Sequence, residues 1–206
     1  MIALSKVDKP AILEEKAAAW TEELRAILAD GKEPTKYLLS RYSHPDIKAS
    51  LLLETSGKCA YCESVFRHVT YGDIEHILPK HARPELRFEW ANLTIACDVC
   101  NTGKGEVEVF DPYVEDPVRA FLIMGPLIWA MPGNDAALIA EARLDLNRSA
   151  LVQRRIEWLE YVRSLIASAR DKPRDVRDAI IEKVRRECDV SRPYSAFAKQ
   201  LLDLPL

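Results

Sequence analysis

Four cysteines of this chain form two pairs, and in each pair two residues separate the thiols. Cys59 pairs with Cys62, and Cys97 pairs with Cys100. Structural zinc takes four thiolate or imidazole ligands, often from two turns that each present two ligands to one ion. The 34 residues between the pairs exceed the spacing of about 15 to 20 in compact zinc ribbons, so the ion would close a loop that contains another element. The pattern predicts a structural zinc site; a redox or coincidental origin is the alternative.

A carboxylate and an imidazole stand side by side inside that loop, at Glu75 and His76. Hydrolysis of a phosphodiester needs a hard cation to neutralise developing charge and a general base to deprotonate water. Glu75 offers a metal ligand, and His76 offers the base because imidazole titrates near neutral pH. Adjacent side chains of a regular strand point to opposite faces, so the two share a site only at an irregularity or at the strand's end. An isolated Glu-His pair is usually surface charge, but its position between the cysteine pairs favours the catalytic interpretation.

The order of these motifs resembles that of the HNH endonucleases, whose site is a ββα-metal fold. The resemblance covers about a quarter of the chain and rests on four segments: Cys59-x-x-Cys62, Asp73-Ile74-Glu75-His76-x-x-Pro79-Lys80, Trp90-Ala91-Asn92-Leu93 and Cys97-x-x-Cys100-Asn101-x-x-Lys104. It implies that His76 is the general base and that Glu75 ligates the catalytic divalent cation. It further implies that Asn92 holds the loop and orients His76, and that Asn101 is the second metal ligand.

Two positions depart from the commoner form of that family, which has Asp where Glu75 stands and His where Asn101 stands. Both residues still offer oxygen ligands, which favours Mg²⁺ or Mn²⁺ as the catalytic ion while the thiolates suit zinc. Asp73 would share the strand face of Glu75 as a further ligand or as a hydrogen-bond acceptor behind the ligands, although a role in the turn is the preferred interpretation.

Three cationic or imidazole side chains near the motif are candidate substrate contacts. Lys80 and Lys104 are interpreted as binding phosphate oxygens, with simple exposed lysines as an equal alternative. His81 is either a substrate contact or, preferably, a surface residue. Residues 148–199 carry 13 Lys or Arg against 8 Asp or Glu, a net charge of +5, whereas residues 1–147 carry 16 against 23, a net charge of −7. The basic part could contact a phosphate backbone, but opposite charges interleave there at helical spacing, which favours a solvated face.

The elements around the motif are predicted from proline, glycine and apolar periodicity. A hairpin is expected from strands at residues 65–71 and 74–78 around the Gly72-Asp73 turn, and a turn leading into a short helix at 97–104. The apolar segment 120–131 predicts one or two strands, and 136–142 is strand or helix. Five helices are expected, the third of them capped by Ser149, at residues 10–30, 45–55, 149–170, 173–188 and 194–202.

The chain is therefore predicted to be an α+β protein. A zinc-stapled ββα-metal core at residues 58–117 would be flanked by an N-terminal helical segment, 1–57, and a mostly helical region, 118–206. No export signal precedes the first helix and no apolar run is long enough to span a membrane, so the cytoplasm is the expected location. An odd number of cysteines argues against a disulfide framework, and Cys188 is interpreted as a partly buried free thiol.

A finer resemblance joins the compact form of the motif to a downstream segment, Leu144-Asp145-Leu146-Asn147-Arg148, that precedes a long helix. Together they are similar to the HNH nucleases of Septu-type and retron-associated anti-phage defence, which work with an ABC-like ATPase subunit. The resemblance implies a nuclease acting on nucleic acid, DNA first, whose terminal helices dock the ATPase or simply pack around the core. The alternatives are a stand-alone restriction-type HNH nuclease and a non-catalytic zinc-ribbon module that binds nucleic acid.

Overall fold

Three helices precede the first cysteine pair in the computed structural model, which describes residues 1–202. They are α1 (Ala11–Ala29), α2 (Lys36–Leu39) and α3 (Pro45–Glu54), so both helices predicted in this segment are confirmed. The helix α2 was not predicted because four residues are too few to show periodicity. It forms where the Thr35 hydroxyl accepts a hydrogen bond from the amide of Leu38, a buried residue.

The motif segment folds into two strands and a helix. Strand β1 (Asp73–His76) pairs antiparallel with β2 (Leu93–Ala96), and Glu75 lies opposite Thr94 while His76 lies opposite Leu93. Helix α4 (Asp98–Lys104) follows β2 and packs on β1. The predicted ββα core and the short helix after the second cysteine pair are therefore confirmed.

The predicted hairpin between residues 65–71 and 74–78 is wrong. The amides of Val69 and Thr70 both donate to the Phe66 carbonyl, so this segment is a turn and not a strand. Phe66 is buried, and its ring lies 2.3 Å from where a Cβ on Gly72 would stand, which only glycine at φ +65° allows. Strand β1 pairs instead with β2, whose four residues are all buried, so burial outweighs the strand propensity of residues 65–71.

The C-terminal region begins with a short helix and a hairpin. Helix α5 (Pro117–Ala120) leads into β3 (Phe121–Met124), which pairs with β4 (Leu127–Ala130) across Gly125-Pro126. The two strands predicted in this apolar segment are confirmed. Helix α6 (Asp135–Arg143) decides the strand-or-helix alternative at 136–142 in favour of helix.

Three further α-helices follow, α7 (Ser149–Ala169), α8 (Arg174–Glu187) and α9 (Ser195–Ala198), and a 3₁₀ turn at Lys199–Leu201 comes after α9. All were predicted, but Ser149 is not the cap of α7, because it already lies inside the helix and Arg148 precedes it. Exposed Arg and Asp or Glu of α8 form ion pairs along the helix, including Arg174 with Asp178, which agrees with the solvated-face interpretation.

One hydrophobic cluster contains side chains from all three predicted segments, including Leu13, Leu93 and Leu159. The division of the chain into segments at residues 57 and 117 stays a prediction. Residues 203–206 of the predicted last segment lie outside the described residues. The predicted α+β class is confirmed. Among residues 1–202, no helix combines the length and the apolar character that crossing a membrane requires.

Candidate active site

The four paired cysteines meet in one buried cluster. The sulfur atoms of Cys59, Cys62, Cys97 and Cys100 all lie within 4.8 Å of one another. Within residues 1–202, no other group of three or more Cys, His, Asp or Glu side chains is placed so that it could hold a metal ion. Hydrogen bonds from Cys100 and Cys59 lower the pKa of Cys62, although burial opposes the shift. Four converging sulfurs that include a stabilised thiolate fit a tetrahedral zinc ion.

The predicted ligands of the catalytic cation lie between β1 and α4, a place called here the β1–α4 seam. Asp73 and Glu75 share one face of β1 because they are two residues apart on a strand, and Asn101 and Lys104 share one face of α4 because they are three apart on a helix. The Asn101 Nδ2 donates to Asp73 Oδ2 over 2.8 Å, and the Lys104 Nζ donates to Glu75 Oε1 over 2.9 Å. The fold therefore brings Glu75 and Asn101 to one seam, with Asp73 beside them.

Lys104 occupies the buried end of the seam. Its side chain is 0% exposed, and its Nζ also donates to the His76 carbonyl oxygen over 2.8 Å. The interpretation of Lys104 as an exposed lysine is therefore wrong. Burial raises the pKa of Glu75, while the charges of Lys104 and Lys80 oppose that rise. Lys104 thus holds a buried carboxylate against α4.

His76 points to the face of β1 opposite Glu75 and is the last residue of the strand. Its ring is buried, and its Nε2 lies 3.0 Å from the Arg87 carbonyl oxygen. Because a carbonyl only accepts, this contact places the proton on Nε2 and leaves the lone pair on Nδ1. Burial lowers the pKa of His76 to about 4, with the positive charges of Lys80, Arg87 and Lys104 adding to that effect against the carbonyl's hydrogen bond. The imidazole is neutral at pH 7.

Asn92 holds the loop that leads away from β1. Its Oδ1 accepts from the Leu78 amide over 2.7 Å, and its Nδ2 donates to the carbonyl oxygens of Leu78 and Leu86 over 3.1 and 3.3 Å. Leu86 directly precedes Arg87, whose carbonyl contacts His76. Asn92 therefore orients His76 only through this loop.

Two residues at the site were not foreseen from the sequence. The Tyr42 ring contacts the His76 ring edge to face, with centroids 4.5 Å apart, and the buried Arg87 donates to the Leu39 carbonyl over 3.0 Å. Both tie the N-terminal helical segment to His76. Arg87 lies outside the four motif segments, and nothing in the local spacing links Tyr42 to the motif.

The remaining candidate contacts lie nearer the surface. Lys80 is half-buried, and its Nζ lies 3.5 Å from the Tyr42 hydroxyl. His81 is exposed, with its Nε2 3.6 Å from Glu106 Oε1. Lys80 thus stands beside the neighbours of His76, whereas His81 faces solvent next to a carboxylate.

Comparison with known proteins identifies the class to which this site corresponds. Residues 59–106 match the family model described as HNH endonuclease, and this segment contains every predicted site residue. The HNH resemblance predicted from the sequence is confirmed for that segment.

Two curated relatives narrow the comparison. The chain is 32% identical over 123 residues to the Septu protein PtuB of Bacillus thuringiensis, which covers 57% of this chain and 44% of the relative. It is 30% identical over 117 residues to the Septu protein PtuB of Bacillus mycoides (strain KBAB4), covering 49% and 40%. The chain spans less than half the length of these relatives, and both are consistent with the predicted resemblance to Septu-type proteins.

Proposed function

We propose that this chain is a divalent-metal-dependent endonuclease that hydrolyses phosphodiester bonds in nucleic acid, with DNA as the first substrate to test. The observation that carries the proposal is that the oxygen donors and the imidazole are adjacent on β1. Oxygen donors gather at the β1–α4 seam, and a neutral imidazole with a defined tautomer ends the same strand. Both lie within the segment that matches HNH endonucleases.

The oxygen donors of the seam fit a hard cation such as Mg²⁺ or Mn²⁺. Glu75 and Asn101 would hold it, and the hydrogen bond from Asn101 Nδ2 to Asp73 leaves the Asn101 Oδ1 as the ligand atom. Mg²⁺ commonly takes only one or two carboxylates from the protein and completes its shell with water and substrate phosphate. When bound, the cation would neutralise charge that develops on the phosphate oxygens.

His76 supplies the base in this proposal. Its Nδ1 lone pair takes a proton from the attacking water. Its Nε2–H stays hydrogen-bonded to the Arg87 carbonyl oxygen, and this bond keeps the ring from rotating. The low pKa keeps the imidazole unprotonated at pH 7, and the Tyr42 ring packs against it.

The two lysines take different roles. Lys80 contacts a phosphate oxygen of the substrate, since it is half-buried and its charge reaches both Glu75 and His76. The Lys104 ammonium donates to Glu75 and to the His76 carbonyl, so it orients Glu75 instead of binding substrate. The cysteine cluster would hold a structural zinc ion with its four thiolates, which would leave no coordination position for water.

We further propose that the chain is the effector nuclease of an anti-phage defence complex with an ABC-like ATPase subunit. Support comes from the similarity to two Septu proteins PtuB and from the sequence resemblance to defence nucleases. Co-purification with a large ATPase expressed from the native operon is the expected result. A fully active, monodisperse solitary protein would instead favour the restriction-type alternative.

Cleavage by variants of His76 tests the proposed chemistry. Purified wild type, His76→Ala and His68→Ala are compared on plasmid and on single-stranded DNA in Mg²⁺, Mn²⁺ and Ni²⁺. Removal of the base should reduce the cleavage rate by roughly 10²- to 10⁴-fold, whereas His68, an exposed loop residue, is the matched control. The comparison is valid only if His76→Ala and His68→Ala have the zinc content and the melting temperature of the wild type. Wild-type cleavage by a folded His76→Ala protein would overturn the mechanism, and absence of metal-dependent cleavage by the wild type and by the ATPase complex would favour the binding module.

A further inference from the structure

The junction between α6 and α7 touches the cysteine cluster. Both terminal nitrogens of Arg148 lie 3.9 Å from the Cys100 sulfur, and the Nη1 also donates to the carbonyl oxygens of Leu144 and Asp145 over 3.0 and 3.1 Å. No carboxylate within residues 1–202 forms an ion pair with Arg148. The guanidinium is therefore fixed by backbone carbonyls and has the sulfur of Cys100 as a further neighbour.

The backbone of α4 approaches the same junction closely. Gly103 lies one helical turn after Cys100, and a Cβ placed on it would stand 2.5 Å from the Arg143 carbonyl oxygen. Only glycine allows helix α4 to lie this near the end of α6. The contact of Arg148 with Cys100 is thus part of a packed interface and not a chance position of a long side chain.

The junction also holds the elements that follow it. The Asn147 side chain bonds both backbone groups of Ile128 in β4, at 3.0 and 2.6 Å. The buried Arg155 of α7 donates to the Leu146 carbonyl over 2.8 Å and lies 4.0 Å from the centre of the Phe197 ring in α9. Residues 143–148 therefore connect the second cysteine pair to the hairpin and to the C-terminal helices.

We propose that Arg148 is a supporting residue of the proposed zinc site, which donates to the Cys100 thiolate and so couples zinc binding to the docking of the C-terminal helices. Four thiolates around one Zn²⁺ leave a net charge of −2, and burying such a charge is costly unless a cation or hydrogen-bond donors offset it. Arg148 supplies both. Linkage is reciprocal, so the factor by which docked Arg148 strengthens zinc binding is the factor by which zinc favours docking.

Zinc affinity tests this proposal without reference to nuclease activity. Arg148→Met keeps the side-chain length and removes the donors, and Arg148→Lys keeps the charge but cannot reach two carbonyls and the sulfur together. Arg154→Met is the matched control, because Arg154 lies on α7 with an exposed side chain paired to Glu157. Competition with a chromophoric chelator should give roughly 10- to 100-fold weaker zinc binding for Arg148→Met, the usual cost of losing a partner of a metal ligand. Arg148→Lys should lie between, and Arg154→Met should match the wild type.

Two measurements, one spectroscopic and one of amide exchange, distinguish a hydrogen bond from Arg148 to Cys100 from packing alone. In cobalt-substituted protein, loss of the donor to sulfur should shift the thiolate-to-cobalt charge-transfer band of Arg148→Met and leave that of Arg154→Met unchanged. Removal of zinc from the wild type should speed amide exchange in α7 before that in α1, a helix of the N-terminal segment.

Three results would overturn the proposal: a folded Arg148→Met protein with wild-type zinc affinity, an unshifted cobalt band, or equal loss of protection in α1 and α7 when zinc is removed. If Arg148→Met does not fold, Arg148→Lys and the exchange measurement on the wild type decide the question.

Discussion

The cysteine cluster and the β1–α4 seam are built on the same helix but differ in how complete they are. The cluster gathers four buried sulfurs within 4.8 Å of one another, whereas the seam offers one exposed carboxylate, Asp73, and one buried carboxylate, Glu75, that is already bound by Lys104. A site that only holds the fold together can supply every ligand itself. The proposed catalytic site would need open positions for a phosphate, and charges and hydrogen bonds hold its residues in place.

Helix α4 is what the two sites share. Cys100 contributes to the cluster, and Asn101 and Lys104 follow it on the same helix. The sulfurs at the start of α4 therefore set where the seam residues face β1. The contrast predicts that damage to the cluster unfolds the core, whereas damage to the seam or to the His76 face has smaller effects.

The largest effect is expected from Cys62→Ser. Structural zinc contributes about 10 to 16 kcal/mol in small zinc peptides, comparable with the whole stability of a typical domain, about 5 to 15 kcal/mol. The variant should lose zinc and cooperative melting. Cys188→Ala is the control, since Cys188 is buried but contacts the Ala198 carbonyl and not the cluster. Zinc analysis and thermal unfolding check this. A Cys62→Ser protein that retains zinc and melts as the wild type does would show that the cysteine cluster does not hold the core together.

The next largest effect is expected from Lys104→Met. It leaves the buried Glu75 carboxylate without its partner, and breaking a buried pair from one side costs roughly 3 to 5 kcal/mol. Lys80→Met provides the contrast, because Lys80 is half-buried and its loss should cost less than about 1 kcal/mol while slowing cleavage. Urea unfolding measures both variants. Equal stabilities would show that Lys104 does not hold the seam.

A pH effect of about 3 kcal/mol is expected from His76, whose pKa falls from 6.5 to about 4 on folding. Because the unfolded chain binds the proton more readily, this stabilisation is present above pH 6.5 and is lost as the pH falls toward 4. The ring signal of His76, followed by NMR between pH 7.5 and 5, should show no titration midpoint. A midpoint near 6.5 would mean that the imidazole is not buried as described.

The smallest effect is expected at Tyr42. Tyr42→Leu loses the edge-to-face contact with His76, which is worth about 0.5 to 1.5 kcal/mol, and it should lower kcat more than it raises KM because the base is less well held. Tyr42→Phe keeps the ring and should retain kcat. Steady-state cleavage kinetics distinguish the two, and identical kcat values would show that the N-terminal segment does not position His76.

Local chemistry made much of this molecule predictable. Prolines, glycines and apolar spacing located the long helices, and the paired cysteines predicted a cluster that forms as expected. The motif also placed Glu75, His76, Asn92 and Asn101 in one segment, and the fold gives Asn92 the loop-holding contacts expected of it. These features depend on residues close in sequence or on ligand types that have few other uses.

Only the tertiary structure decided which distant groups meet. Residues 65–71 have strand propensity, yet β2 pairs with β1 because it is buried throughout. Lys104 is buried because Glu75 and the His76 carbonyl satisfy its ammonium, and Tyr42 and Arg148 reach their sites from other segments. Periodicity reports which face of an element is apolar, but the partner of that face depends on long-range packing. The sequence by itself therefore determined the motif and the kinds of side chain it offers, and the fold determined how each charge and ring in it is held.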